Sequence, residues 1–326
     1  MKPGLVIGKF MPLHSGHMKL IDFALSHVDH LTVLVCANPG EPIPGHLRLG
    51  WLWETYRLEP KVKIAYTEEP LPNSSASSRS ISKVWANYLS RRFPEVRIIF
   101  SSEKYGDYLA EYMGIEHRLF DEKRLESPVS ATAIREKPFA HWDYIPPAVR
   151  SHYTKKVCIY GTESTGKTTL TEQLAFHYQT AHVPEMARIV LDERGVDKLT
   201  WEDFPQIAEV HAQEILNRAP LAQKILFSDT DLLTTKIYAR RYFNRELSVP
   251  EWILAANTFD LYLLLDKDVP WVADPHRNSG HLSEELHREF KHALDEQNLP
   301  YEIIRGNWDK RFEQAKEILD RRLFGK

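Results

Sequence analysis

The sequence is poor in cysteine, and this scarcity narrows the classes of protein to which it can belong. Among its 326 residues only Cys36 and Cys158 are cysteines, and each lies within an apolar run, TVLVCA and KVCIYG. We interpret both as reduced thiols of buried strands. A zinc site built on cysteines needs more of them or a paired spacing, and is not predicted. The chain is therefore expected in a reducing, cytoplasmic compartment.

Long apolar runs and an excess of basic charge are missing as well. No stretch approaches the ~18 apolar residues of a membrane span, and no signal-peptide pattern precedes the first strand-like segment. The formal net charge is −3, which argues against duplex DNA as the main partner, because DNA-binding proteins normally carry a basic stripe. The sequence therefore predicts no nucleic-acid partner and no membrane insertion.

Strand-like and helix-like segments alternate along the chain, a pattern typical of parallel sheets joined by helices. The length favours two domains, because single hydrophobic cores stop growing below this size. We expect the Pro146–Pro147 pair to break regular structure and predict α/β domains at 1–148 and 149–326. Strands are expected at 4–8, 31–37, 61–66, 96–102 and 116–121, and again at 155–161, 181–183, 224–229, 261–267 and 301–306.

The first glycine-containing loop, GKFMPLHSGH (8–17), follows an apolar strand and leads into a predicted helix. Ligands bind beyond the carboxyl ends of parallel strands, and helix N-termini attract anions. We therefore expect His14 and His17 to point toward phosphate oxygens, with Gly16 allowing close backbone approach. A zinc pair and ordinary core histidines are the alternatives. The metal pair is the weaker of these, because no third ligand is near.

A second loop, GTESTGKT (161–168), fits the G-x-x-x-x-G-K-T pattern without a mismatch. An apolar strand-like run precedes it and a helix-like run follows. In such a loop the backbone N–H groups and the lysine cradle phosphates, and the final threonine contacts Mg²⁺. The predicted ATP-binding residues here are Gly161, Thr162, Glu163, Ser164, Thr165, Gly166, Lys167, Thr168 and Thr169.

Charged residues further along the chain complete the predicted second site. Asp229 follows an apolar run, and we predict it to be a ligand of Mg²⁺. Glu185 and Asp231 are both candidates for accepting the proton of an alcohol nucleophile, and the sequence does not separate them. Arg188 shares a predicted helical face with Glu185. Arg277 lies in WVADPHR, which resembles the arginine-bearing lid of small nucleoside and nucleotide kinases; a solvated loop explains it equally well.

The first loop also resembles a signature of the nucleotidylyltransferase superfamily, G-x-F-x-P-x-H-x-G-H, and VSATAIR (129–135) is similar to its second signature, I-S-S-T-x-I-R. In that superfamily a phosphate oxygen attacks the α-phosphorus of ATP and pyrophosphate leaves. The resemblance implies that His14, His17 and Lys9 stabilise the transition state, while the second signature holds the β- and γ-phosphates. The implied ATP site consists of Gly8, Lys9, Phe10, His14, Gly16, His17, Ser130, Thr132 and Arg135.

The order of the two domains resembles the bifunctional nicotinamide-mononucleotide adenylyltransferase/ribosylnicotinamide kinase family of bacterial NAD salvage. The resemblance covers nearly the whole chain and includes SSEKYG (101–106), PEMAR (184–188) and SDTD (228–231). It implies a Rossmann-like first domain that joins the mononucleotide to AMP, and a P-loop second domain that phosphorylates nicotinamide riboside. The implied partners are small molecules: ATP, nicotinamide riboside, its mononucleotide and NAD. A homo-oligomer is left open.

Some members of that family carry an N-terminal helix-turn-helix domain and repress transcription. This sequence begins at the first catalytic strand, so we expect no DNA-binding role. Trp85, Trp252 and Trp271 are candidates for stacking on nicotinamide or adenine, and Trp85 is the predicted substrate contact. Two further hypotheses remain: a fused transferase and kinase for another metabolite, and a regulator that senses ATP or NAD. The complete lysine, threonine and aspartate set of the second loop disfavours the regulator.

Overall fold

The computed structural model describes residues 2–72, 78–123, 125–195, 198–268 and 283–325. The chain divides into two compact units, Met1–Val149 and Arg150–Lys326, one residue away from the predicted division. Within the described part of the chain, no helix is both long enough and apolar enough to cross a bilayer.

The first unit is built on a parallel sheet of five strands in the order β3-β2-β1-β4-β5. Its strands are β1 (Pro3–Gly8), β2 (His30–Cys36), β3 (Val62–Thr67), β4 (Ile98–Ser101) and β5 (Glu116–Leu119). Its helices are α1 (Ser15–Leu25), α2 (Gly45–Tyr56), α3 (Arg79–Arg92), α4 (Tyr105–Met113) and α5 (Ala131–Glu136). A 3₁₀ turn covers Pro138–Tyr144, and α6 (Pro147–Tyr153) spans the boundary.

The strand order of the first unit places a crevice beyond the end of β1. The chain runs outward from β1 through β2 to β3, then returns to β4 on the opposite side of β1. Ligands bind at such a reversal, where the connections after two neighbouring strands leave in opposite directions. Gly8 ends β1 and therefore stands at this point.

The second unit repeats the plan with the order β10-β9-β6-β8-β7, again all parallel. Its strands are β6 (Lys155–Tyr160), β7 (His182–Val183), β8 (Ile225–Asp229), β9 (Leu261–Leu265) and β10 (Tyr301–Ile304). Its helices are α7 (Lys167–His177), α8 (Met186–Arg194), α9 (Asp203–Arg218), α10 (Leu232–Phe243), α11 (Glu251–Ala256), α12 (Ser283–Glu296) and α13 (Trp308–Leu319). The central strand β6 pairs Ile159 with Asp229, which brings the end of β8 beside the second loop.

The continuous apolar runs of the strands follow from burial on both faces of the sheet. In β6, Val157 and Ile159 join one apolar cluster, whereas Cys158 and Tyr160 join the cluster on the opposite face. A strand covered by helices on both sides has no solvent-facing positions, so its sequence does not alternate. Cys36 and Cys158 are both free and buried, as predicted, and burial raises the pKa of the Cys36 thiol to about 12.

The two predicted parallel sheets are confirmed, and each of the ten predicted strands is present. Ile145 and Pro146 lie between the 3₁₀ turn and α6 and belong to neither. The helix α6 was not predicted. It begins at Pro147, where proline is tolerated because the first position of a helix has no backbone hydrogen bond for proline to remove. The short helix α5 was also not predicted, since its six residues are too few to show a helical period.

Candidate active sites in the two units

The first histidine of the N-terminal loop caps the helix that follows it. The Gly16 N–H donates to His14 Nδ1 at 3.1 Å, and the His14 side chain is buried. An Nδ1 that accepts a hydrogen bond carries no proton, so the neutral ring has its proton on Nε2. His14 therefore carries its donor on Nε2, the ring nitrogen that does not take part in the helix cap.

The second histidine lies directly against the first. The His14 and His17 ring centroids are 3.8 Å apart, and Phe10 packs edge-on against His17 at 5.0 Å. A Cβ on Gly16 would lie 2.9 Å from both the His14 ring and Ser127 Oγ, so this turn accepts only glycine without rearrangement. The two imidazoles are thus held as a packed pair at the N-terminus of α1.

The second predicted signature reaches the first loop through its arginine. Ser130 caps α5 by accepting from the Ala133 N–H at 3.1 Å. Arg135 donates to the Met11 carbonyl and, at 3.1 Å, to Thr132 Oγ1. The structure therefore brings Thr132 and Arg135 onto the histidine loop, although 124 residues separate Arg135 from Met11.

The Lys9 ammonium contacts a carboxylate, whereas its predicted role requires a contact with phosphate. Its ammonium lies 3.0 Å from Glu41, which also pairs with Arg48 at 2.6 Å. The pKa of Glu41 is lowered: burial opposes this, but hydrogen bonds from the Asn38 N–H, Lys9 and Arg48 outweigh it. The charge of Lys9 is therefore shared with a carboxylate rather than directed at phosphate alone.

A cavity of about 320 Å³ opens beside this loop, at the carboxyl end of β1. The residues that line it include Gly8, Lys9, Phe10, His17 and Trp85. The Trp85 indole N–H donates to the Pro72 carbonyl at 3.0 Å, which fixes the plane of the ring. Such a cleft, with an aromatic face and a few polar groups, suits a nucleotide-sized ligand.

The second loop, between β6 and α7, folds back on the carbonyl group of its own residue Thr162. Lys167 Nζ and Thr165 Oγ1 both donate to the Thr162 carbonyl, each at 2.8 Å. Ser164 and Gly166 have positive φ angles of 58° and 87°. Runs of backbone N–H groups in such alternating conformations form anion-binding concavities. The nine predicted residues from Gly161 to Thr169 all belong to this loop and the first turn of α7.

Asp229 and Thr168 meet at the end of β8. Thr168 Oγ1 donates to Asp229 Oδ2 at 2.5 Å, and the Asp229 side chain is buried. Asp229 Oδ1 has no hydrogen-bond partner among the described residues. Burial raises the pKa of Asp229 to about 6, with the Lys167 charge opposing the rise and Glu185 adding to it. A buried carboxylate oxygen left unsatisfied beside a threonine hydroxyl fits the protein side of a Mg²⁺ site.

Asp231 and Glu185, the two candidates for the base, have different surroundings in the structure. Asp231 caps α10: its Oδ1 accepts from the Thr234 N–H at 2.9 Å, and its Oδ2 accepts from the Tyr262 hydroxyl at 3.0 Å. Glu185 instead lines a small cavity of about 30 Å³ walled by Phe204, Tyr238 and other apolar side chains. The hydrogen bonds of Asp231 therefore join α10 to β9, while Glu185 lines a cavity and interacts electrostatically with Asp229.

Arg188 donates to Glu185 at 3.2 Å, as expected for neighbours on one helical face. Arg277 and Trp271 lie outside the described residues. Trp252 is on the short helix α11, 40% exposed, and does not line the cavity beside Glu185.

Sequence reasoning missed Arg48 and Arg311, each of which contacts one of the two predicted phosphate-binding loops. Arg48 donates to the Lys9 carbonyl at 2.9 Å, and Arg311 donates to the Thr165 carbonyl at 2.5 Å. A signal was present, because each arginine occupies the buried stripe of its helix. Arg48 precedes the buried Leu52 by four residues, and Arg311 precedes the buried Ala315 by four.

Comparisons with known proteins agree with this two-part architecture. A family model described as an AAA domain matches residues 156–311. The trifunctional NAD biosynthesis/regulator proteins NadR of Escherichia coli (strain K12) and Salmonella typhimurium are each 33% identical over 347 aligned positions, covering 97% of this chain and 82% of the relative. A nicotinamide-nucleotide adenylyltransferase of Thermococcus onnurineus is 23% identical over 166 positions, 48% of this chain and 83% of its own length.

Solved structures share the fold over the full length. Crystal structures of NadR protein in complex with NAD and AMP-PNP, and in complex with NR, each superpose with a TM-score of 0.80 at 24% identity, covering 100% of this chain and 97% of theirs. The identity and coverage of the two bacterial relatives are high enough to assign the family. The chain belongs to the NadR family of NAD biosynthesis/regulator proteins.

Proposed function

We propose that this protein makes NAD in two ATP-dependent steps, one in each unit. The second unit phosphorylates nicotinamide riboside, and the first joins the resulting mononucleotide to AMP. The observation that carries the proposal is the presence of two phosphate loops of different design, each after the central strand of its own parallel sheet, in a chain of the NadR family. The names of the relatives, which include NAD biosynthesis and nicotinamide-nucleotide adenylyltransferase, support the same chemistry.

In adenylyl transfer, a phosphate oxygen of nicotinamide mononucleotide attacks the α-phosphorus of ATP. The bond from this phosphorus to the bridging oxygen breaks, and pyrophosphate leaves. The nucleophile is already ionised, so no base is needed, and the protein contributes positioning and hydrogen-bond donors. This role is supported by the position of the His14 and His17 pair at the N-terminus of α1, from which both would donate to phosphate oxygens, and Arg135 would add charge from the second signature.

In the kinase step, the 5′-hydroxyl of nicotinamide riboside attacks the γ-phosphorus of ATP, and ADP leaves. The hydroxyl proton must be transferred, and we assign Glu185 as its acceptor because this buried carboxylate lines a cavity and lies close enough to Asp229 to raise the pKa of that carboxyl. Lys167 and the N–H groups of the loop neutralise the charge on the β- and γ-phosphates.

Mg²⁺ is part of this proposal. Thr168 and Asp229 would hold the ion, which supplies positive charge to the β- and γ-phosphates when bound. Two protein ligands are enough, since Mg²⁺ usually completes its shell with water and phosphate oxygens. The free, buried thiols support the predicted reducing, cytoplasmic location, and the homo-oligomer stays a prediction.

Supplying the purified protein with ATP, Mg²⁺ and nicotinamide riboside tests the proposal directly. We expect the mononucleotide to form first, followed by NAD and pyrophosphate, as followed by chromatography. A parallel reaction started from the mononucleotide isolates adenylyl transfer. Formation of neither product would refute the proposal, and formation of only one would remove the function from one unit. Other nucleosides and phosphorylated metabolites serve as substrates in the control reactions.

Replacing Glu185 with glutamine tests whether Glu185 or Asp231 is the base. We expect Glu185→Gln to lower kcat for riboside phosphorylation by about 10²- to 10⁴-fold, because the amide cannot accept the proton. Asp231→Asn is the matched control, and should leave kcat largely unchanged because asparagine is also an effective N-cap. Steady-state kinetics of both variants decide the matter. The assignment fails if Asp231→Asn is the inactive one of the pair.

Riboside phosphorylation should also depend on pH through Asp229. This carboxyl has its pKa raised to about 6, so it binds a proton as the pH falls through that value and loses the charge that Mg²⁺ requires. We expect the kinase rate to fall on the acid side of about pH 6, with a midpoint that moves lower at higher Mg²⁺, because metal and proton compete. Adenylyl transfer in the same buffers is the control. A kinase profile insensitive to Mg²⁺ would contradict the assignment.

A further inference from the structure

Arg48 and Arg311 are the two largest fully buried side chains of the described residues, with relative exposures of 0% and 1%. A buried guanidinium is costly unless its charge is paired and its donors are satisfied. Neither residue belongs to a loop that is proposed to touch substrate. Their burial therefore calls for a reason other than packing, and each one has its partners around a phosphate loop.

In the first unit, Arg48 of α2 joins three segments. Its Nη1 donates to the Lys9 carbonyl at 2.9 Å and to the Cys36 carbonyl at 3.3 Å, and its Nη2 donates to Glu41 at 2.6 Å. Lys9 begins the histidine loop after β1, and Cys36 ends the neighbouring strand β2. The arginine thus ties the loop after the central strand to the end of the next strand.

In the second unit, Arg311 of α13 makes the same kind of connection. Its Nη1 donates to the Thr165 carbonyl at 2.5 Å, and its Nη2 donates to the Asp266 carbonyl at 2.6 Å and to Asp268 at 2.5 Å. Its Nε donates to the Gly306 carbonyl at 2.8 Å. Asp266 directly follows β9, which lies beside the central strand β6. In both units one guanidinium holds the phosphate loop, a neighbouring strand end and a carboxylate.

Each arginine fixes the orientation of one peptide group in its loop. In a trans peptide the C=O and the following N–H point in opposite directions. Anchoring the Lys9 carbonyl therefore turns the Phe10 N–H away from Arg48, and anchoring the Thr165 carbonyl does the same for the Gly166 N–H. In each loop the next residue has a positive φ, 49° at Phe10 and 87° at Gly166. Such a conformation costs free energy at a residue with a side chain, and a fixed hydrogen bond offsets that cost.

We propose that Arg48 and Arg311 are positioning residues, each of which holds the phosphate loop of its own unit in the shape that binds ATP. They act from behind the loop, through its carbonyl groups, so ATP affinity at each site depends on an arginine outside the site. This inference rests on the proposed function only in the assumption that each loop binds ATP. It adds that the two loops, although they differ in sequence, are each held in shape by a buried arginine.

The two-unit chain provides its own control, because each arginine should affect one reaction. We expect Arg311→Ala to raise the KM for ATP of the kinase by about 10- to 100-fold, with the KM for nicotinamide riboside changing less than about twofold and adenylyl transfer unaffected. Arg48→Ala should raise the KM for ATP of adenylyl transfer to a similar extent and leave the kinase intact. Arg322→Ala and Arg57→Ala, at exposed arginines of the same two units, are the matched controls.

A merely structural role gives a different result. Loss of folded protein lowers the apparent kcat while the KM for ATP stays the same, and that outcome would overturn the proposal. So would damage to both reactions by either variant. Where an alanine variant fails to fold, Arg311→Lys and Arg48→Lys decide: lysine keeps the charge but reaches fewer carbonyls, so an intermediate KM for ATP is expected. If the wild-type protein lacks a proposed reaction, calorimetric affinity for a non-hydrolysable ATP analogue replaces KM as the measurement.

Discussion

Replacing Lys167 with alanine is expected to abolish phosphorylation of nicotinamide riboside and to leave NAD formation from the mononucleotide at its wild-type rate. The lysine is buried in the second loop, where its ammonium donates to the Thr162 carbonyl at 2.8 Å. No other lysine of the described residues has a place in that loop. Its removal takes away the charge that neutralises the transferring phosphate, and we expect kcat/KM to fall about 10³-fold or more.

The measurement is a pair of assays on one protein preparation, one started from the riboside and one from the mononucleotide. Lys310→Ala is the matched control, since Lys310 is an exposed lysine at the start of α13 and should behave as wild type in both assays. Circular dichroism verifies that the variants are folded. Loss of NAD formation from supplied mononucleotide in Lys167→Ala would show that the two sites are not independent.

For His17→Ala we expect the opposite pattern, in which adenylyl transfer is slowed and phosphorylation of the riboside is retained. The imidazole lies 3.8 Å from the His14 ring and lines the cavity at the end of β1, so its removal takes away a donor next to the phosphate site. We expect adenylyl transfer to slow by about 10²- to 10³-fold, the usual effect of deleting one donor to a developing negative charge. Phosphorylation of the riboside should not change, because Lys167, Thr168 and Asp229 all belong to the other unit.

Steady-state rates of pyrophosphate release measure this effect, with accumulation of the mononucleotide as an independent sign that the kinase is still active. His30→Ala is the control, because His30 is an exposed histidine of the same unit at the start of β2. His17→Asn keeps a hydrogen-bond donor and should recover part of the lost rate. Retention of full adenylyl transfer in His17→Ala would remove the histidine pair from the mechanism.

Most of the fold was predictable because its signal is local. Each buried strand, such as β6 or β9, is a continuous apolar run, and each run is separated from the next by a helical segment. The two loops were also predictable, since each combines glycine, a basic residue and a helix start within ten residues. The helix α6 was missed, because a proline pair that interrupts regular structure can also supply the first residue of a helix.

The separate roles of the charged residues were not predictable from the sequence. Glu185 and Asp231 look equivalent as acidic residues close after a predicted strand, yet in the fold Asp231 accepts hydrogen bonds from Thr234 and Tyr262 while Glu185 lines a cavity. Lys9 looked like a phosphate ligand, and the structure places its ammonium against Glu41. Which partner a charged group finds depends on elements that are distant in sequence, and no local pattern records it.

The sequence by itself determined the two parallel sheets, the two phosphate loops and the type of chemistry that each loop suits. These follow from short-range rules: apolar runs become buried strands, and glycine with a helix start makes an anion site. The tertiary structure alone decided what holds the loops in shape. Arg48 and Arg311 reach loop carbonyls 39 and 146 residues away in the chain. These contacts form only when the helices pack. A guanidinium is buried at low cost only where the fold provides hydrogen-bond acceptors in place of water.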